Sequence, residues 1–231
     1  MVCEYTDEIC TEDDVDNSVE IAGGCDNIKR CKIIMRTTEV NGYTLCLIES
    51  MDELYKEAKE RLAKSVYVGM DTETSGLDYN KDVVAGICIS FGKNLSEQEY
   101  RGYYLPINHI NYPNNLPKDE VCKFTQYLLN KYSTVFWNRP FDLFQFENLG
   151  ISIPFIGGMN DAQCMEFLVA CDRFPSLKPT CRKYFPNWNM MDYSDNESMN
   201  FCETDPRKSF RYAAFDPVAT VKVAVEIWNR Y

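Results

Sequence analysis

Two hundred and thirty-one residues fit one ordinary domain, or one domain with a tail, and exclude two large ones. An apolar content of 45% beside 26% charged side chains is that of a globular chain able to bury a core without disulfide support. The formal charge of −11 is uneven: residues 1–20 hold eight carboxylates and no Lys or Arg, which leaves the other 211 residues almost neutral at −3. Such a leader, taken as residues 1–24, reads as a solvated disordered segment, with a nucleic-acid mimic or a dock for a basic partner as the other reading. The near-neutral body lacks the phosphate-neutralising surface of a tight, free-standing DNA binder. No apolar run approaches the roughly 20 residues that cross a bilayer, and the acidic N-terminus is no signal peptide, so neither a membrane nor secretion is expected. Eleven cysteines, odd in number and without a C-x-x-C pair, point to free thiols in a cytoplasmic or other reducing compartment. The single histidine, His109, excludes HExxH metalloproteases and multi-histidine zinc sites.

In chain order, CKIIMRTTEV and YTLCLI flank Asn41-Gly42 and predict a β-hairpin, since both turn positions favour positive φ. Leu54, Ala58 and Leu62 recur at helical spacing in an amphipathic helix over 51–63. Residues 65–71 form an apolar, central strand, and 82–92 and 102–108 continue the sheet. A helix over 117–132, a short buried strand over 134–137 and a helix from Pro140 to Gly150 follow. Helices are expected over 161–172 and after Pro175, then a polar loop over 185–205 and one long helix over 206–229. Strand and helix in alternation make this an α/β chain, a mixed sheet between helical layers, with chemistry expected at strand ends and helix starts.

Three pairs of residues carry the candidate chemistry. Asp71 and Glu73 sit two apart at the end of the most apolar strand and therefore share a face; two anions held so close call for a shared proton or a cation. Asn138 and Asp142 flank a helix start, where a cap and a favourable dipole would equally explain them. Tyr212 and Asp216 stand four apart on the expected last helix, with Pro217 either kinking that helix or marking a restart. Together, four carboxylates with an Asn and a Tyr suit hard divalent cations, Mg²⁺ or Mn²⁺ rather than zinc. Two such ions about 3.5–4 Å apart can serve a phosphodiester displacement without a histidine base.

In this order and spacing, VGMDTETSGL, VFWNRPFDLFQFENLGI and RYAAFDPVATVKVAVEIW resemble the three exonuclease motifs of the DEDD superfamily, Tyr subtype, and YYLPINH resembles the strand between the first two. The likeness is to the proofreading 3′–5′ exonuclease domain of family A (DNA polymerase I-like) polymerases, and it covers residues 44–231. It implies a ribonuclease H-like, five-stranded mixed sheet flanked by helices; the leader over 1–24 and a small hairpin extension over 25–43 lie before that core and depart from the family pattern. It also implies that Asp71, Glu73 and Asp216 hold the ion that activates water. Asp71 would also bridge to the second ion, with Asp142 reaching it directly or through water, and Tyr212 with Glu73 would orient the attacking water. Asn138 supports the site, and Thr74 and Leu77 contact the terminal nucleotide, Leu77 as an apolar wedge. Tyr193 or Phe201 would stack on a frayed base or plug the loop onto its own core.

The leading expectation is a metal-dependent 3′–5′ exodeoxyribonuclease acting on single-stranded or frayed DNA ends, alone or as the proofreading part of a polymerase. A DNA polymerase domain or replication protein would then be its partner and supply much of the DNA affinity. An RNase D-like RNA 3′ exonuclease shares the metal chemistry. A docking or scaffold module on the same fold, binding through residues 1–45, is the reading from another class.

Overall fold

The computed structural model describes residues 35–93, 99–154, 159–171, 175–192 and 200–231. Among the described residues, seven strands form one mixed sheet in the order β1-β2-β5-β4-β3-β6-β7. β1 (Arg36–Val40) and β2 (Tyr43–Leu47) are the expected hairpin, closed by Asn41 and Gly42 at φ 51° and 85°. β4 (Val84–Gly92) runs antiparallel to both of its neighbours, β3 (Tyr67–Thr74) and β5 (Tyr100–Pro106), while β6 (Ser133–Phe136) and β7 (Met159–Asp161) add parallel strands beyond β3. The sheet exceeds the expected five strands because β2 pairs in parallel with β5, which brings the hairpin into the sheet, and because β7 lengthens the other edge.

Alternation along the central strands divides the interior into two cores. Val68, Met70, Ile87, Ile89 and Phe91 point to the layer of α1 (Met51–Arg61), α2 (Lys118–Lys131) and α3 (Arg139–Asn148). The opposite face carries Cys88 and Tyr104 and meets α4 (Ala162–Ala170), α5 (Leu177–Tyr184), α6 (Pro206–Ala213) and α7 (Phe215–Arg230). His109 is buried, bonded through Nε2 to the Tyr104 hydroxyl and through Nδ1 to the Thr204 carbonyl, and burial pushes its pKa down to about 4.

Two further expectations change. The single helix over 206–229 is two helices meeting at Ala214, and Pro217 lies in the first turn of the second, where no intrahelical partner awaits its missing amide. Part of the loop over 185–205 turns into a 3₁₀ segment, Phe201–Glu203, whose Phe201 is fully buried against Tyr104, His109 and Tyr212. Phe201 therefore plugs the loop and offers no face to a base. Tyr193 and the leader over 1–24 lie outside the described residues. The seven described cysteines are free thiols, and among the described residues no helix is long and apolar enough to cross a membrane.

Close backbone approach sets the start of α7 over the sheet. A Cβ on Gly69 of β3 would lie 2.3 Å from the Pro217 carbonyl oxygen, and one on Gly102 of β5 would lie 2.0 Å from that of Ala214. These two carbonyls bracket Asp216. Gly69→Ala and Gly102→Ala are each expected to lower stability by about 1–3 kcal/mol, the usual cost of overpacking, as a lower urea midpoint at unchanged slope. Wild-type midpoints in both would contradict this packing.

Candidate metal centre

Asp71 and Glu73 project from β3 on the same face as Gly69, as their spacing of two requires. Cys88 of β4 stands directly opposite Asp71 in the antiparallel register. One carboxylate oxygen from each acid and the Cys88 Sγ lie within 4.8 Å of one another. The register slips between Glu73 and Thr74, and the chain leaves the sheet there. Thr74 is buried and its Oγ1 donates to the Gly76 carbonyl at 2.6 Å. Asp82 fastens the following loop by accepting from the Ser75 hydroxyl at 2.8 Å and the Asp78 amide at 2.7 Å. The loop presents Leu77 at 83% exposure, an apolar side chain held in the open.

Asp142 enters from the other helical layer, in the first turn of α3. It is 1% exposed, and its Oδ1 accepts from the Thr72 hydroxyl at 2.8 Å. Thr72 lies between Asp71 and Glu73 but points to the opposite face, so one β3 tripeptide supplies two carboxylates and the anchor of a third. Asn138 is exposed, adopts the left-handed region at φ 63°, and does not cap α3 with its side chain. Asp161, at the end of β7, instead accepts from the Arg139 amide at 3.0 Å. Asn138 thus serves the sharp turn from β6 into α3.

Asp216 lies in the first turn of α7 and is buried. Half-buried Tyr212, from α6, hydrogen-bonds its carboxylate, and Lys178 of α5 forms an ion pair with it. The Lys178 ammonium also lies 4.4 Å from the centre of the Tyr212 ring. The four acids are thus drawn together from β3 and from two helix N-termini, whose positive dipole ends favour an anion.

Their mutual electrostatics are severe. Desolvation, with the Asp216 charge next, pushes Asp71 up to about 8. Burial, followed by the Asp71 charge, drives Glu73 and Asp142 well above the ordinary carboxylate range. Burial raises Asp216 too, although Lys178 opposes the shift. The Oε1 of Glu73 is buried and has no hydrogen-bond partner among the described residues. Oxygen donors that repel one another, one of them unsatisfied, fit a hard divalent cation.

Thr72, Cys88 and Lys178 escape motif reading. Thr72 is the unremarked middle residue of D-T-E, and Cys88 needs the β3–β4 register. Lys178 carries no sequence signal: it lies 38 residues before Asp216 and reaches it only through the packing of α5.

A family model described as a 3′–5′ exonuclease matches residues 48–231. DNA polymerase I of Borreliella burgdorferi is 26% identical over 172 residues, which cover 71% of this chain and 17% of that protein. Among solved structures, Brucella melitensis NrnC is 20% identical with a TM-score of 0.53, over 71% of this chain and 73% of that one. Further NrnC structures are described as bound to pGG and with bound Mg²⁺. The Aedes aegypti Nibbler EXO domain is 14% identical with a TM-score of 0.55, over 78% of this chain and 88% of that one. The structural likenesses concern the fold.

Unfolded carboxylates ionise near pH ~4, whereas the clustered acids keep protons up to about pH 8 in the case of Asp71. The folded state therefore binds more protons than the unfolded one in this window, and its stability falls as pH rises through it. In chelator, the parent protein is expected to lose Tm relative to Asp71→Asn as pH climbs from about 5 to about 8, followed by scanning calorimetry. Parallel curves for the two proteins would contradict the shift.

Proposed function

Since the chain belongs to the 3′–5′ exonuclease family over residues 48–231, we propose that it hydrolyses phosphodiester bonds stepwise from the 3′ end of a DNA strand, with two Mg²⁺ or Mn²⁺ ions held by Asp71, Glu73, Asp142 and Asp216. The observation that carries this reading is the convergence of four acids from β3, α3 and α7, with pKa values displaced upward and the Glu73 Oε1 unsatisfied. Bound divalent ions supply charge stabilisation to the attacking and leaving oxygens of the displacement.

The chain's own residues supply the rest. Asp71, Glu73 and Asp216 would hold one ion and Asp71 and Asp142 the other, and Thr72 fixes the Asp142 carboxylate by its hydrogen bond. Tyr212 and Glu73 orient the water that attacks the terminal phosphodiester. Leu77 packs against the last base from its exposed loop, Thr74 braces that loop, and Asn138 sets the turn that delivers α3 to the strand. The terminal mononucleotide leaves, and the shortened strand carries a new 3′ hydroxyl.

Proofreading beside a polymerase is the biological setting we propose, supported by the relative that is a DNA polymerase I. The almost neutral charge of residues 21–231 supports a partner that supplies DNA affinity. The carboxylates do not read the sugar, so the substrate test includes both.

A 5′-labelled single strand incubated with Mg²⁺ or Mn²⁺ should shorten as a descending ladder, faster for DNA than for matched RNA. Asp71→Asn, Asp142→Asn and Asp216→Asn are each expected to slow it by about two orders of magnitude or more, as several kcal/mol of transition-state stabilisation are lost. Parental rates in these variants would overturn the site, and faster RNA degradation would move the substrate to RNA.

A further inference from the structure

Lys178 is a partly buried cation beside the cage that the exonuclease motifs do not name. Its side chain is 15% exposed and lies along the Tyr212 ring, with the ammonium on the Asp216 carboxylate. Its field opposes the charging penalty on Asp71 and Glu73 as well. Leu177 and Cys181 fix α5 in the core beneath α7, so the lysine points inward because of the helix's packing. The ammonium sits on Oδ1 of Asp216, and an ammonium and a divalent ion drawn to one carboxylate repel each other, so binding of either weakens the hold on the other.

Resting on the metal-dependent reading above, we infer that Lys178 is a positioning residue that acts as the resident counter-ion of the metal-free cage and gives up Asp216 when a divalent cation binds. A buried carboxylate left without a partner is strongly destabilising. The ammonium therefore holds the empty cage together, and the protein spends part of its metal-binding energy on displacing it. Lys178 thus sets how tightly the site takes its ion and keeps the four acids assembled between loadings. A purely structural lysine would instead stabilise the metal-free and metal-loaded protein alike.

The test uses the full chain with Mn²⁺ alone, comparing the parent with Lys178→Met and Lys178→Arg. Tm is measured in chelator and at saturating Mn²⁺, and affinity by isothermal titration. Lys178→Met is expected to lose Tm in chelator, to regain most of it with Mn²⁺, and to bind Mn²⁺ about tenfold more tightly, the linked consequence of destabilising only the empty state. Lys178→Arg, which keeps the charge, should stay near the parent in both measurements. If Lys178→Met folds only when Mn²⁺ is present, the inference also stands. A Tm deficit equal with and without Mn²⁺, an unchanged affinity, or failure to fold even with Mn²⁺ overturns it. A parent that binds no Mn²⁺ would instead contradict the metal-dependent reading itself.

Discussion

Four carboxylates pressed into one low-dielectric pocket repel one another, and the layout of this chain is organised around tolerating that repulsion. β3 brings Asp71 and Glu73 to one face at the strand's end, Thr72 holds Asp142 from the other face, and α7 lowers Asp216 onto them. Each of the last two acids sits in the first turn of a helix, where the backbone dipole offsets part of the cost. The remainder appears as raised pKa values and an unsatisfied Glu73 oxygen, and divalent cations answer both.

Packing serves the same end. Glycine at positions 69 and 102 lets the α6–α7 joint approach the sheet until the carbonyls on either side of Asp216 meet the strands. A side chain at either position would lift α7 and withdraw one acid from the other three. The break between α6 and α7 has a consequence for Tyr212, which comes from a separate helix and bonds to Asp216 across the joint. Helix and sheet packing thereby supply accuracy that loops alone would not.

Much of this architecture could be read directly from local chemistry. The two-residue spacing of Asp71 and Glu73, the Asn41-Gly42 turn and the apolar run of β3 each act through neighbouring residues, so their patterns survive in the linear chain. The ordered motifs extended that reading to Asp142, Tyr212 and Asp216, which no single spacing would have joined. What stayed hidden depends on tertiary contact. Lys178 and Cys88 reach the acids only through helix and strand placement, and the pairing of β2 with β5 is a long-range match with no local signature. Pro217 permitted either a kink or a restart, and the packing of Ala214 against Gly102 chose the restart.

The central claim is that these acids form a single two-ion centre. Anomalous diffraction from crystals of the full chain soaked in Mn²⁺ tests it most directly. Two manganese peaks about 3.5–4 Å apart, bounded by Asp71, Glu73, Asp142 and Asp216, are expected. Manganese bound only elsewhere, or a fully ordered cage that takes none, would contradict it.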